Sequence, residues 1–371
     1  LKTKVLHIAP VLAGVETAVR LIAANLDETL FELVLIKDLK GKIEPITYKS
    51  GKLVPTHLVD FERVINPLKD ARFLSKVLSI AKKENPDLIH CHSAKCGIIG
   101  RTVGQILSIP TFYTPHAFSY LSAETERKKR FFLSIEKLFS KTNSHVLACS
   151  ESEANRAIHD VGYASSMVHV VNNALPEHNI DYNEEELNLL CTIGRPSFQK
   201  NTLFLVQIFN EAVKIDPNIK LVILGVGYFS PDLQMVKDYI ALNNLDSKVK
   251  IVDWTSRNET LITLSKSAIY ISTSRYEGLP FAVLEALSLG KPCILSNVDG
   301  NRDCVEEGKN GYLFDLDESQ HNVAQKIWAL LNDKQRLRSF GMHSINTFKE
   351  NFFIDKNIKI LEGLYMQYKR R

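Results

Sequence analysis

The sequence has no stretch approaching the ~18 to 20 unbroken apolar residues that a bilayer-spanning helix requires, so no membrane span is expected. Its six cysteines, at 91, 96, 149, 191, 293 and 304, form no CxxC pair and no framework spacing. Free thiols in a reducing, cytoplasmic setting are the expectation. Low-complexity tracts, short internal repeats and the G-x-G-x-x-G dinucleotide fingerprint are all missing. Neither sign of charge dominates: 46 Lys and Arg stand against 42 Asp and Glu, and a scattered surplus of +4 gives no footprint for a nucleic acid. Leu1 to Pro10 carries two lysines and a short apolar run, which reads as a buried strand and not as a secretory signal.

What the chain does have is 371 residues, 45% of them hydrophobic, enough for two buried cores at ~100 to 200 residues per domain. Short runs of Val, Ile and Leu alternate with segments of helical period, the pattern of a parallel sheet covered by helices on both faces. Strands are expected near Val5 to Ile8, Leu33 to Ile36, Asp87 to His90, Thr111 to Thr114, His145 to Ala148 and Val168 to Val171. Pro176 to Glu186 then interrupts the rhythm with a proline, polar residues and three successive glutamates, and reads as an interdomain connection. The rhythm restarts with strands near Leu187 to Ile193, Leu221 to Leu224, Val249 to Val252, Ala268 to Ser272 and Pro292 to Leu295. Ile354, Ile358, Leu361, Tyr365 and Tyr368 recur at helical spacing in a last amphipathic helix. The expected architecture is α/β, with two doubly wound, Rossmann-like domains at 1–177 and 178–353 and a cleft between them. Ligands of such sheets bind beyond the carboxyl ends of the strands.

The strongest constellation is Ser274 to Gly290. It follows an expected strand; Pro280 suits a first helical position and Gly290 a helix end. Glu277 then lies on the loop and Glu285 on the helix, while the segment Gly278, Leu279, Pro280, Phe281 and Ala282 brings the free amides of the helix start together as an anion site. A phosphate there would have a carboxylate on either side, each able to accept hydrogen bonds from sugar hydroxyls. After the strand ending at Ile193 comes Gly194-Arg195-Pro196-Ser197-Phe198-Gln199-Lys200-Asn201. Arg195 can fork onto phosphate oxygens and Lys200 adds a point charge, which together suit a diphosphate.

The first half is less pointed. Gly14, in Pro10-Val11-Leu12-Ala13-Gly14-Val15-Glu16-Thr17, either lets a backbone amide approach a ligand or is a simple turn glycine. Gly225-Val226-Gly227 carries the same ambiguity. His116 follows a strand and faces the expected cleft, as a working side chain or as a satisfied one. His90 and His92 flank Cys91, with Cys96 nearby, but no fourth ligand suggests itself and no metal is expected. Arg127 to Arg130 precede Phe131, Phe132, Ile135, Leu138 and Phe139, which reads as a solvated face over a core stripe or as a peripheral contact with anionic lipid.

Taken together, these residues resemble the retaining nucleotide-sugar glycosyltransferases of family four, over nearly the whole length. Glu277 and Glu285 match the E-x7-E motif, within Glu277-Gly278-Leu279-Pro280 and Gly290-Lys291-Pro292. Gly194-Arg195 with Lys200 matches the diphosphate-binding stretch, Gly14 to Thr17 the N-terminal loop, and His92-Ser93-Ala94-Lys95 with Gly97 the fourth strand and helix. Two departures stand out: Ala13 takes the place of a second glycine, and Asn173-Ala174-Leu175-Pro176 replaces an Asn-Gly turn.

The resemblance implies the GT-B fold, with the C-terminal helix 354–371 crossing back onto the first domain. It implies that Arg195 and Lys200 neutralise the diphosphate, Glu285 holds the ribose hydroxyls, Glu277 contacts the donor sugar, His116 sits beside the transferred sugar and Gly14 faces the phosphates. The implied reaction moves a hexosyl or N-acetylhexosaminyl group from a UDP- or GDP-linked donor to a glycan or lipid-linked glycan, with retention, no cofactor and no metal. Surface polysaccharide or glycolipid synthesis is the implied setting, in the cytoplasm or on the inner face of the membrane. A sugar-nucleotide epimerase of the same fold and a non-catalytic, two-lobed sugar-binding protein are the rival readings.

Overall fold

A computed structural model describes residues 2–10, 13–39, 44–62, 64–178, 186–227 and 229–370. The chain divides into two units, Leu1–Ala174 with Ile354–Arg371, and Leu175–Phe353. The first boundary thus falls three residues before the expected one. Leu175 belongs with the second unit because its amide donates to the Phe352 carbonyl at 3.0 Å. Most of the acidic connection, residues 179–185, lies outside the described residues, as do Leu1, Val11, Leu12 and Arg371.

The first unit runs β1 (Thr3–Ile8), α1 (Ala13–Asn25), β2 (Phe31–Asp38), β3 (Thr56–Val59), α2 (Pro67–Glu84), β4 (Leu88–His92), α3 (Ala94–Leu107), β5 (Thr111–Thr114), α4 (Glu126–Phe139), β6 (Ser144–Ala148), α5 (Glu151–Arg156) and β7 (Val168–Val170). Its strands form one parallel sheet in the order β3-β2-β1-β4-β5-β6-β7. Because side chains alternate along a strand, each apolar run feeds two cores. Leu6, Ile8, Ile36 and Ile89 pack with Val77 of α2 and Val103 of α3. Val5, Leu33, Leu35 and Leu88 pack on the other face with Val19 and Ala23 of α1. On α3, a side chain at Gly97 would run into the Tyr113 ring, so only glycine permits this close approach of helix to sheet.

The second unit runs β8 (Glu186–Ile193), α6 (Thr202–Ile215), β9 (Lys220–Val226), α7 (Leu233–Leu242), β10 (Val249–Asp253), α8 (Arg257–Lys266), β11 (Ser267–Ser272), α9 (Phe281–Ser288), β12 (Cys293–Ser296), β13 (Gly311–Phe314), α10 (Gln320–Asn332) and α11 (Lys334–Thr347). Its parallel sheet has the order β10-β9-β8-β11-β12-β13. Last comes α12 (Ile354–Tyr368), whose Ile358, Leu361 and Tyr365 join the core of the first unit beside α1.

Each expected strand is present, and β3 and β13 are additional edge strands. The six cysteines are buried, and none is in a disulfide. Among the described residues no helix is long and apolar enough to cross a membrane. Strand order reverses between β1 and β4 in one sheet and between β8 and β11 in the other. Helices leave opposite faces at such a point, and the carboxyl edge opens into a crevice.

Candidate active site

The loop leaving β8 makes its turn at Gly194, where φ is +152° and an added Cβ would stand 3.1 Å from Lys200 Cε. Gly194 therefore lets the loop fold back over the Lys200 stem. The loop is then stitched to the segment leaving β11. Arg275 N donates to Gln199 O at 2.8 Å, and the Thr273 hydroxyl donates to the Lys200 and Asn201 carbonyls at 3.1 and 3.0 Å. These bonds place Lys200 Nζ 2.7 Å from Glu277 Oε1, while Gln199 Nε2 donates to Glu277 Oε2 at 3.3 Å. Glu277 is only 6% exposed, so both of its oxygens are held by the opposite loop. Arg195 shares that loop, with its guanidinium 5.7 Å from the centroid of the Phe229 ring.

From Glu277 the chain turns through Gly278 and Leu279 into α9. Pro280 is extended, at φ −77° and ψ 120°, and precedes the helix instead of occupying its first position. Val283 and Leu284 both donate to the Pro280 carbonyl, which puts the amides of Phe281 and Ala282 ahead of the first intrahelical bond. The helix closes as expected, with Gly290 at φ +67°. Glu285, 7% exposed on α9, pairs with Arg257 Nη2 of α8 at 2.9 Å. Burial pushes its carboxyl above the usual range, and the Arg257 charge partly opposes that shift. A desolvated carboxylate held by one guanidinium keeps lone pairs for neutral hydroxyl donors.

In the first unit, His116 stands on the loop after β5 in a left-handed conformation, φ +53°, with Ala117 at +72°. Glu153 secures that loop: its Oε1 accepts the Ala117 amide at 2.7 Å and its Oε2 the Cys149 amide at 2.8 Å. His116 Nε2 meets His92 Nδ1 at 3.1 Å, and His92 Nε2 meets His7 Nδ1 at 3.0 Å. The Tyr365 hydroxyl lies 3.4 Å from His7 Nε2 and 2.6 Å from His90 Nδ1, and His90 Nε2 reaches Thr114 at 2.9 Å. His7, His90 and His92 thus bring ring nitrogens within 4.8 Å of one another, a set geometrically able to hold a metal ion. Every one of those nitrogens already has a hydrogen-bond partner, so the residues fit a hydrogen-bonded chain better than a ligand set. Cys91 turns to the opposite face, its Sγ 3.1 Å from Phe112 O. Burial lowers His7 to about 3 and His116 to about 4 and holds His90 and His92 well below the ordinary value, leaving neutral imidazoles at pH 7.

Two family descriptions match the sequence, "Glycosyltransferase Family 4" over residues 12–177 and "Glycosyl transferases group 1" over residues 176–346. The chain belongs to glycosyltransferase family four. This family-four glycosyltransferase is 26% identical to the UDP-Gal:alpha-D-GlcNAc-diphosphoundecaprenol alpha-1,3-galactosyltransferase of Escherichia coli, over 98% of this chain and 97% of that one. Its fold is GT-B. Sucrose-phosphate synthase of Thermosynechococcus elongatus superposes with a TM-score of 0.83 at 16% identity, covering 99% of each chain. HepE of Anabaena, in complex with UDP and glucose, gives 0.80 at 16% identity, over 98% of this chain and all of that one (100%).

In this glycosyltransferase the structure brings Lys200, Glu277 and the start of α9 together at the β8/β11 edge, with Arg195 on the same loop and Glu285 one helical turn inside α9. Gly14 does not stand on a loop: α1 already begins at Ala13, and Gly14 is in its first turn. Gly225 is inside β9, with φ +78°. On α4 the basic residues 127–130 are exposed, and so are Phe131 and Leu138, which one of the two sequence readings assigned to a core stripe. Sequence reasoning did not find Arg257, Gln199, Glu153, His7 or Tyr365. Only Glu153 had a local signal, since Ser150-x-x-Glu153 has the spacing of a capping box and Ser150 does cap α5.

Proposed function

We propose that this glycosyltransferase moves a hexosyl or N-acetylhexosaminyl group from a UDP- or GDP-linked sugar to a hydroxyl of a glycan or lipid-linked glycan, with retention at the anomeric carbon. The observation that carries the reading is the fastening of the Gly194–Lys200 loop to the segment leading into α9, at the point where the second sheet reverses its strand order.

The donor's diphosphate lies against Arg195, Lys200 and the amides of Phe281 and Ala282, Glu285 takes the ribose hydroxyls, and Glu277 faces the donor sugar. The anomeric carbon–oxygen bond breaks toward the diphosphate, so negative charge grows on the leaving oxygen as positive charge grows on the ring. The cations and the helix start stabilise that leaving group more strongly than the ground state. The acceptor oxygen bonds to the anomeric carbon on the face the diphosphate vacates, and its proton passes to the departing phosphate oxygen. Positive charge comes from the protein's own side chains, so the reading needs no metal ion. His116 is neutral and held by His92, so toward a sugar hydroxyl it accepts or donates a hydrogen bond without adding charge.

The diphosphoundecaprenol acceptor of the Escherichia coli relative supports a lipid-linked acceptor here. The exposed stretch Arg127 to Arg130, with Phe131 beside it, supports a peripheral contact with the anionic inner leaflet. Charge reversal of these four residues should abolish sedimentation with phosphatidylglycerol vesicles; unchanged sedimentation, or none by the wild type, removes the contact.

The direct test is a panel of nucleotide sugars screened by thermal shift, since a bound donor raises stability by mass action, followed by product analysis with lipid-linked acceptors. Arg195→Ala, Lys200→Ala and Glu285→Gln should each lower transfer at least tenfold, ~1.4 kcal/mol of barrier. Conversion of the donor sugar without an acceptor would mark an epimerase instead, and donor binding with no turnover a binding protein.

A further inference from the structure

Thr114, His90, Tyr365, His7, His92 and His116 form one hydrogen-bonded line, drawn from β1, β4, β5, the loop after β5 and α12. His7, His90, His92 and Tyr365 are buried, whereas His116, the terminal ring, is half-buried. A neutral imidazole has one N–H and one bare nitrogen. Where two such rings meet nitrogen to nitrogen, one donates and the other accepts. Fixing a single proton in the line therefore fixes all of them, and two arrangements exist. In one, every ring carries its proton on Nε2; in the other, on Nδ1.

The Tyr365 hydroxyl decides between them, because it has one proton for two neighbours. Hydroxyl donors stand about 2.5–3.0 Å from their acceptors, and N–H donors about 2.7–3.2 Å from oxygen. His90 Nδ1, at 2.6 Å, is at a hydroxyl donor's distance, and His7 Nε2, at 3.4 Å, is beyond it. The hydroxyl thus donates to His90, and its oxygen takes the longer, weaker bond from His7 Nε2–H. His90 then donates from Nε2 to the Thr114 hydroxyl oxygen at 2.9 Å. His7 Nδ1, left bare, accepts from His92 Nε2–H at 3.0 Å, and His92 Nδ1 accepts from His116 Nε2–H at 3.1 Å. The last ring keeps a bare Nδ1, which has no partner among the described residues.

We infer that Tyr365, acting through His7 and His92, sets the tautomer of His116, so that His116 meets a sugar hydroxyl as a hydrogen-bond acceptor. Tyr365, His7 and His92 are buried positioning residues. The inference rests on the role proposed above for His116 and narrows it, since the sugar hydroxyl is then the donor. Glu153, by accepting the Ala117 amide, keeps the His116 ring within reach of His92. Helix α12, whose side chains otherwise fill the core of the first unit, contributes in this way to the chemistry of the site.

Nitrogen NMR of the full chain, isotope-labelled at histidine, tests the line directly, because a bare imidazole nitrogen resonates far downfield of a protonated one. With signals assigned by their loss in His7→Gln, His90→Gln, His92→Gln and His116→Gln, all four wild-type rings should show Nε2 protonated and Nδ1 bare. Tyr365→Phe removes the oxygen that accepts from His7, and a buried N–H without a partner is costly. The protons of His7, His92 and His116 should therefore shift together toward Nδ1, while His90 keeps its bond to Thr114. His57, which pairs with Glu84, should not change. A merely structural Tyr365 would leave the His116 tautomer where it was. That result, or a wild-type His116 protonated on Nδ1, overturns the inference, and the wild-type spectrum decides even where the variant fails to fold. Transfer is measured alongside, with the donor that the nucleotide-sugar panel selects. His116→Phe should lower it about fivefold, as loss of one neutral hydrogen bond does; undiminished transfer overturns the sugar contact. No transfer from any nucleotide sugar, with the tautomers as stated, counts against the proposed function and leaves the line from Tyr365 to His116 standing.

Discussion

Lys200 and Glu277 form an ion pair at 2.7 Å although 77 residues of sequence separate them. The contact joins the two loops that leave neighbouring strands β8 and β11, and in the proposed function each residue has a separate task toward a bound donor. Lys200→Ala leaves a nearly buried carboxylate with Gln199 as its remaining partner, so stability should drop by ~1–3 kcal/mol in urea denaturation as transfer falls. The double variant Lys200→Ala with Glu277→Gln should recover stability without recovering transfer. Recovery of both would show the pair to be structural only.

Glu285 titrates above the ordinary glutamate value because it is buried against α8. A protonated carboxyl loses acceptor capacity toward hydroxyl donors. Nucleotide affinity should therefore decline on acidification at a higher pH than a solvated glutamate would give, and Glu285→Gln should bind more weakly with a flatter profile. Calorimetry across pH 4 to 7 checks this; identical profiles for the two proteins would separate Glu285 from the ribose.

The histidine chain predicts a pH-dependent stability. His7 and His116 are lowered to about 3 and about 4 from the model-peptide value of 6.5, and His145, paired with His169, to about 4. Between those values and 6.5 the unfolded chain binds protons that the native chain refuses. Stability should hold above 6.5 and fall as pH drops through this window, by no more than ~1.4 kcal/mol per pH unit for each histidine. Urea midpoints from pH 4 to 7 should show the slope, and His116→Gln should make it shallower. Midpoints independent of pH across the window would contradict the burial argument.

Arg101 and Glu136 make the deepest ion pair described, at 3.0 Å with both side chains nearly inaccessible. Arg101 also donates to Tyr163 and Gly97 O and stacks over Tyr113, whose hydroxyl donates to Glu136. Arg101→Met should cost ~3–5 kcal/mol, because it strands a buried carboxylate, and adding Glu136→Gln should restore part of the loss. Equal stabilities for the single and double variants would show that Glu136 is not stranded.

The strands were legible where both faces are buried: Val5 to Ile8 and Ala268 to Ser272 are mostly apolar because helices cover both sides of the sheet. β3 was not, since Thr-His-Leu-Val is a half-exposed edge strand with no continuous apolar run, and β13, the four-residue edge strand Gly-Tyr-Leu-Phe, was passed over although it is apolar. Glu277 and Glu285 were legible as a loop position and a helix position because Pro280 and Gly290 bracket the short helix that carries Glu285. Arg257 and Gln199 carried no local signal, since their neighbours at Glu285 and Glu277 become neighbours only through strand order. His7 and Tyr365 stand near opposite ends of the chain and meet because α12 packs on the first sheet.

Local spacing in the sequence was therefore enough to determine the alternation of strands and helices, the doubly wound class and the loop-then-helix placement of the two glutamates, because each depends on residues within a few turns of one another. Tertiary structure alone decided that Lys200 meets Glu277, that Arg257 reaches Glu285 and that His116 ends a chain of neutral imidazoles. Those pairings depend on which strands lie side by side, and parallel strands are joined by crossovers long enough to separate the partners by dozens of residues.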